Sequence, residues 1–166
     1  MQNKPGVLLL ALVGSFLIYR GGKIALTDKD EQIDYMARTA WGEARGEGSR
    51  GMQAVINVIM NRVRAGSWYG ATPKEVCTKK SQFSVWNKND PNYVPMLAVT
   101  TADENFALAK QLATAAYNGN LPDITNGATN YLALGSLSSV PGWVASLEEV
   151  AVIGNHTFYA KCLGFG

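Results

Sequence analysis

Met52, Val55, Ile56, Ile59, Met60 and Val63 fall three and four positions apart, the strongest helical periodicity in the chain. Such a stripe must be buried on assembly, so this segment predicts a central helix that the other elements pack around. Gly48-Ser49 opens it and Gly66 closes it. A second amphipathic helix precedes it, carried by Ile33, Met36, Ala37, Ala40, Trp41 and Ala44. Thr27 with Asp30 resembles a capping box at its start, and Asp28, Asp30 and Glu31 suit the positive end of a helix. Gly42 and Gly46 weaken its last turns.

Downstream, Thr72-Pro73-Lys74-Glu75-Val76-Cys77 predicts a short helix with Thr72 as cap and Pro73 at the first position. Ser81 to Trp86 alternates and predicts a short strand or extended loop. Asn87 to Pro95 predicts a polar loop, and Thr101 to Asn118 a third long helix with a Thr101/Glu104 box. The remainder consists of turns and short strands: Gly127 to Leu132, a Gly/Ser-rich loop, Pro141-Gly142-Trp143, and Ala151 to Tyr159. Helices come first and a small antiparallel sheet late, so the class is α+β.

The chain has 166 residues, enough for one domain with a real core. A net charge of +2 gives no argument for nucleic acid, and is compatible with an anionic polymer such as a cell wall. Before the domain, Gly6 to Tyr19 is an uncharged apolar run closed by Arg20-Gly21-Gly22-Lys23. As a helix it spans roughly 21 Å, against about 30 Å of hydrocarbon. Ile24, Ala25 and Leu26 extend it if Arg20 and Lys23 snorkel. Residues 1–26 are therefore read as an N-terminal apolar helix: a cleavable signal, a short membrane anchor, or a weakly held anchor able to leave the bilayer. No small-x-small cleavage site follows, which disfavours the first. A buried core helix is the competing reading. Residues 27–166 form the soluble domain, expected to be monomeric.

Two carboxylates, a tryptophan and three glycines lie within Ala40-Trp41-Gly42-Glu43-Ala44-Arg45-Gly46-Glu47-Gly48. Glu43 and Glu47 are four apart, about 5–6 Å at Cβ on one helix face. Two acids that flank a sugar must approach it from opposite sides, which neighbours on one helix do not do. One acid suffices for a different route. A protonated Glu43 gives its proton to a glycosidic oxygen, then takes one from a hydroxyl of the cleaved sugar, closing an anhydro ring. Burial among Trp41, Phe83, Trp86 and Tyr131 would keep such an acid neutral. The alternative is an ordinary solvated helix carboxylate. Glu47 is expected to face the start of the next helix, or to pair with Arg45 or Arg50.

His156 is the sole histidine, so any Ser-His or Cys-His mechanism would need it, and no GxSxG motif is present. It is read as a structural residue or as a hydrogen-bond partner for a sugar acetamido group. Trp86, Tyr131, Trp143 and Tyr159 are candidates for stacking on sugar faces or for packing. Two cysteines and one histidine cannot make an ordinary zinc site without carboxylates, so no metal or cofactor is expected. Cys77 and Cys162 form either a disulfide, if the domain is exported, or two buried thiols.

Trp41-Gly42-Glu43-Ala44-Arg45-Gly46-Glu47, then Gly51-Met52-Gln53-Ala54-Val55 and Val58-Ile59-Met60-Asn61-Arg62-Val63, resemble the SleB-type cell-wall hydrolases, which include spore cortex-lytic enzymes. Gln82-Phe83-Ser84-Val85-Trp86, Gly127-Ala128-Thr129-Asn130-Tyr131 and Ile153-Gly154-Asn155-His156-Thr157-Phe158-Tyr159 agree in order. The resemblance implies a lysozyme-like fold related to lytic transglycosylases, with Glu43 as catalytic acid on peptidoglycan. It sets Gln82, Phe83, Ser84, Trp86, Tyr131 and His156 along the substrate groove. A catalytic domain behind a short apolar segment looks like a phage endolysin of the signal-anchor-release kind. Such a protein would sit at the host inner membrane and act in the periplasm. A muramidase that uses water, and a membrane-tethered murein-binding protein without activity, are the other readings.

Overall fold

The computed structural model describes residues 28–133 and 141–161. The apolar segment, the Thr27 cap, the Gly/Ser-rich loop and Cys162 lie outside the described residues. Among the described residues, no helix is long and apolar enough to cross a membrane.

Helix α1 (Asp28–Ala44) leads through a 3-10 turn (Arg45–Glu47) into α2 (Gly48–Ala65). Short helix α3 (Pro73–Thr78) follows, then a 3-10 turn (Ser84–Trp86), α4 (Tyr93–Ala98) and α5 (Glu104–Tyr117). Strands β1 (Asn130–Ala133), β2 (Glu148–Ile153) and β3 (His156–Ala160) form an antiparallel sheet in the order β1-β3-β2. The helices-then-sheet α+β architecture is the expected one.

Helix α2 is central because both its sides are buried. Met52, Val55, Ile56 and Ile59 pack with Met36, Ala37 and Ala40 of α1 and Phe106, Ala109 and Ala113 of α5. Its other side, Ala54 and Val58, meets Ala128, Ile153 and Phe158 under the sheet. Truncating a fully buried residue such as Ile56 to alanine should cost about 2–5 kcal/mol. Helix α3 starts as expected, with the Thr72 hydroxyl accepting the Glu75 N–H and Pro73 in the first turn.

Three expectations need correction. The alternating stretch 81–86 pairs with no strand among the described residues. Phe83 and Val85 alternate inward because a 3-10 turn buries them against α1 and α2. The polar loop ends at Asn92, and Pro95 sits in the third position of α4, where its missing N–H has no intrahelical acceptor. Helix α5 is capped by Asp103, which accepts the Phe106 N–H at 2.9 Å, instead of by Thr101. The run 151–159, expected among turns and short strands, is a hairpin that turns at Gly154-Asn155, where Gly154 adopts φ of 56°.

Candidate active site

Glu43 lies in the last turn of α1, half-buried. Its Oε1 accepts the Val85 N–H at 3.0 Å and the Ser84 hydroxyl at 3.4 Å. Its Oε2 accepts the Tyr131 hydroxyl at 3.1 Å. The carboxylate thus ties α1 to the turn before α4 and to β1. Gly42 makes this approach possible: a Cβ there would run into the Val85 side chain. The glycine matters for contact with the loop as well as for ending the helix.

Tyr131 stays a phenol. Burial, then the charge of Glu43, hold it well above its ordinary value, with the Arg62 cation opposing. Its ring packs against Phe158 at 5.6 Å and meets His156 edge-on at 5.2 Å. His156 Nδ1 lies 3.7 Å from Glu47 Oε1. Glu47 Oε2 accepts the Asn155 N–H at 2.8 Å. Glu47 sits at the start of α2, as one expectation had it, but its carboxylate holds the β2–β3 turn and does not make the pairing with Arg45 or Arg50 that was the other. Arg45 is engaged elsewhere, stacked on Trp41 at 4.2 Å and bonded to Asn92.

The remaining sequence-predicted residues divide. Ser84 and Tyr131 touch Glu43, and His156 touches Tyr131. Gln82 is held behind them: it accepts from Arg62 at 3.1 Å and donates to the Tyr69 carbonyl at 3.0 Å. Phe83 is buried, with Arg62 4.7 Å above its ring. Trp86 stacks on Tyr35 and donates to Thr39, one turn back along α1. Trp41 does not converge on Glu43. Two positions on a helix are about 200° apart, and its indole instead reaches Asp103 of the α5 cap at 3.1 Å. Trp143 and Tyr159 pack together at 5.6 Å. Tyr159 is offset by one from Phe158, so it lies on the sheet face opposite Tyr131.

Arg62 is the residue sequence reasoning overlooked. It is buried, donates to the Thr129 carbonyl at 2.7 Å and to Gln82, and pins β1 and the 82–85 loop to α2. Burial pulls its pKa below the ordinary value, against the fields of Tyr131, Tyr69, Cys77 and Glu43. The signal was present: Arg62 lies three past Ile59 and seven past Val55, on the apolar stripe. Cys77 is buried, and desolvation pushes its thiol up to about 12.

Glu43, at the end of α1, meets the small antiparallel sheet directly through Tyr131 of β1, the arrangement that the lysozyme-like resemblance implies. Residues 46–159 match the family model described as cell wall hydrolase, and the chain belongs to that family. It is 28% identical over 134 residues to the spore cortex-lytic enzyme of Halalkalibacterium halodurans. That match takes in 78% of this chain and 34% of the relative, so the chain spans about a third of the relative's length. The catalytic domain of the Bacillus cereus SleB protein superposes with a TM-score of 0.61 at 26% identity, over 89% of this chain and 99% of that domain. The catalytic domain of the germination-specific lytic transglycosylase SleB from Bacillus anthracis gives 0.60 at 27% identity, over 81% and 97%.

Proposed function

We propose that the chain cleaves the β-1,4 bond between MurNAc and GlcNAc in peptidoglycan as a lytic transglycosylase, with Glu43 as its acid and base. The placement of the Glu43 carboxyl group at the end of α1, fixed by Val85, Ser84 and Tyr131, carries this reading, and the same three donors stabilise the carboxylate that must take the proton back. Val85 N–H can only donate, so it fixes Oε1. The Tyr131 hydroxyl can rotate away from Oε2, so Oε2 is the oxygen that can turn a proton toward the substrate. Oε2–H protonates the glycosidic oxygen, and the C–O bond breaks. The C6 hydroxyl of the same sugar closes on C1 and returns its proton to Glu43. No water is consumed.

The nearest carboxylate in sequence supports the single-acid route. Glu47 is committed to Asn155 and His156, and so is poorly placed to activate a water across a sugar ring. Membership of the cell wall hydrolase family and the likeness to SleB catalytic domains support the substrate class. The apolar run Gly6 to Tyr19 supports a further reading, a weakly held membrane anchor on an endolysin acting from the host inner membrane into the periplasm. Collapsing the membrane potential should then release activity without cleavage. Activity that stays membrane-bound would contradict release. Products from purified murein with anhydro ends test the reaction. Hydrated reducing ends would make the enzyme a muramidase.

A further inference from the structure

A cavity of about 790 Å³ opens beside the C-terminal end of α2, between that helix, the 66–69 turn and the sheet ends at Glu148 and Ala160. Nothing in the Glu43 chemistry uses it. Trp68 stands on its rim 61% exposed, which is unusual for so large an apolar side chain. Tyr69 meets Trp68 edge-on at 5.4 Å, and Asn126 and Thr129 also line the cavity; the Asn126 amide donates to the Val150 carbonyl and the Thr129 hydroxyl to Asn130, which leaves their side-chain oxygens able to accept. Arg64 and Lys161 line the cavity, and the Lys79 ammonium lies 4.7 Å over the Trp68 ring. Against these three cations stand Glu148 on the wall and Asp123, 4.0 Å from Arg64.

The cavity shares a wall with the active site. Tyr69 lines it, and the Arg62 guanidinium lies 5.6 Å from the same ring. The Tyr69 hydroxyl approaches Asn130, next to Tyr131, and its carbonyl holds Gln82, two residues before Ser84. A ligand seated there would rest against the elements that hold Glu43.

We propose that this cavity is a second binding site for peptide-bearing glycan strands of murein. This rests on the reading of the chain as a murein-cleaving enzyme. The indole takes the apolar C–H face of an N-acetylated sugar, and the asparagine and threonine groups take its amide and hydroxyls. Arg64 and Lys161 take a carboxylate of the lactyl-peptide branch. The polymer is large and cross-linked, so an enzyme cutting one strand at Glu43 has neighbouring strand within reach. Holding it keeps the enzyme on the wall between cuts.

The test is co-sedimentation of the full chain with insoluble murein, in a Glu43→Gln background so that the wall is not consumed. Trp68→Ala in that background should weaken binding about ten-fold. Arg64→Ala should weaken binding to whole murein and leave binding to peptide-stripped glycan unchanged. Val94→Ala, which removes an exposed apolar side chain on α4, is the control and should bind like its parent. Parent-like sedimentation of the Trp68→Ala variant would overturn the second site, while anhydro products from the wild type would still uphold the reaction. Complete competition by free stem peptide would also overturn it, because the sugar would then not be what the cavity holds. If the wild type releases no muropeptides and the Glu43→Gln chain does not sediment, the murein reading itself fails.

Discussion

Glu47 and Asn155 lie 108 residues apart in the chain and are joined by a 2.8 Å hydrogen bond from the Asn155 N–H to Oε2. This bond fastens the tip of the β2–β3 hairpin to the start of α2. A Cβ on Gly154 would collide with the same carboxylate, and one on Gly51 with the Glu47 Cβ, so the side chain is enclosed from both directions. Gly154→Ala adds a left-handed backbone penalty of about 1–2 kcal/mol to that collision. It should therefore lower the denaturation midpoint more than Glu47→Gln, which keeps an oxygen for Asn155. Equal midpoints for the two variants would show that the hairpin tip is not held this way.

Gly42→Ala tests the approach of the 84–85 turn to Glu43. The added methyl meets Val85, so the turn must retreat and its donors leave Oε1. Overpacking of this kind costs about 1–3 kcal/mol, but the displacement of the acid should cost more, about a hundred-fold in rate. Murein turnover at a temperature where the variant remains folded checks this. Activity that falls only in proportion to unfolded protein would contradict it.

Arg62→Leu removes charged hydrogen bonds to Thr129 and Gln82 and leaves both oxygens facing apolar surroundings. The cost should be about 3 kcal/mol, read from urea unfolding. The segment leading into β1 loses its tie to α2 in the same step, so the placement of Tyr131 loosens and activity should fall as well.

Acid should weaken the fold partly through Asp123. Burial pushes this carboxyl upward, but bonds from the Thr125 hydroxyl and amide, from Asn61 and from Gly127 outweigh it and leave its pKa lowered. Asp103 is lowered too, by the Phe106 N–H and the Trp41 indole. A carboxyl group lower in the folded than in the unfolded state stabilises above its unfolded value, and that contribution is lost as pH falls through the folded one. Thermal midpoints should therefore drop below about pH 4, and Asp123→Asn should flatten that limb while lowering the neutral midpoint.

The helices α1, α2, α3 and α5 were legible because their apolar stripes and caps are local signals, whereas α4, with Pro95 inside it, was read as loop. Met52 to Val63 needed only periodicity, and Thr72-Pro73 only cap chemistry. Asp103 defeated the Thr101 assignment because two capping candidates sit two residues apart, and the indole of Trp41, distant in sequence, completes the site at Asp103. Glu43, Ser84 and Tyr131 were picked out from motifs and the structure brings them together, but the Val85 amide has no side-chain signature, and Gly42 reads as a helix weakener until Val85 is placed beside it. Glu47 was placed at the start of α2 correctly, but its partners Asn155 and His156 lie more than a hundred positions downstream and were not legible.

The central claim is that one carboxyl group, on Glu43, does the work of both acid and base. Mass analysis of the fragments released from purified murein tests it most directly, with Glu43→Gln alongside. The account predicts fragments with anhydro ends, each lighter by one water than the hydrolysis product, and none from the variant. Fragments with only hydrated reducing ends, or undiminished release by the variant, would contradict it.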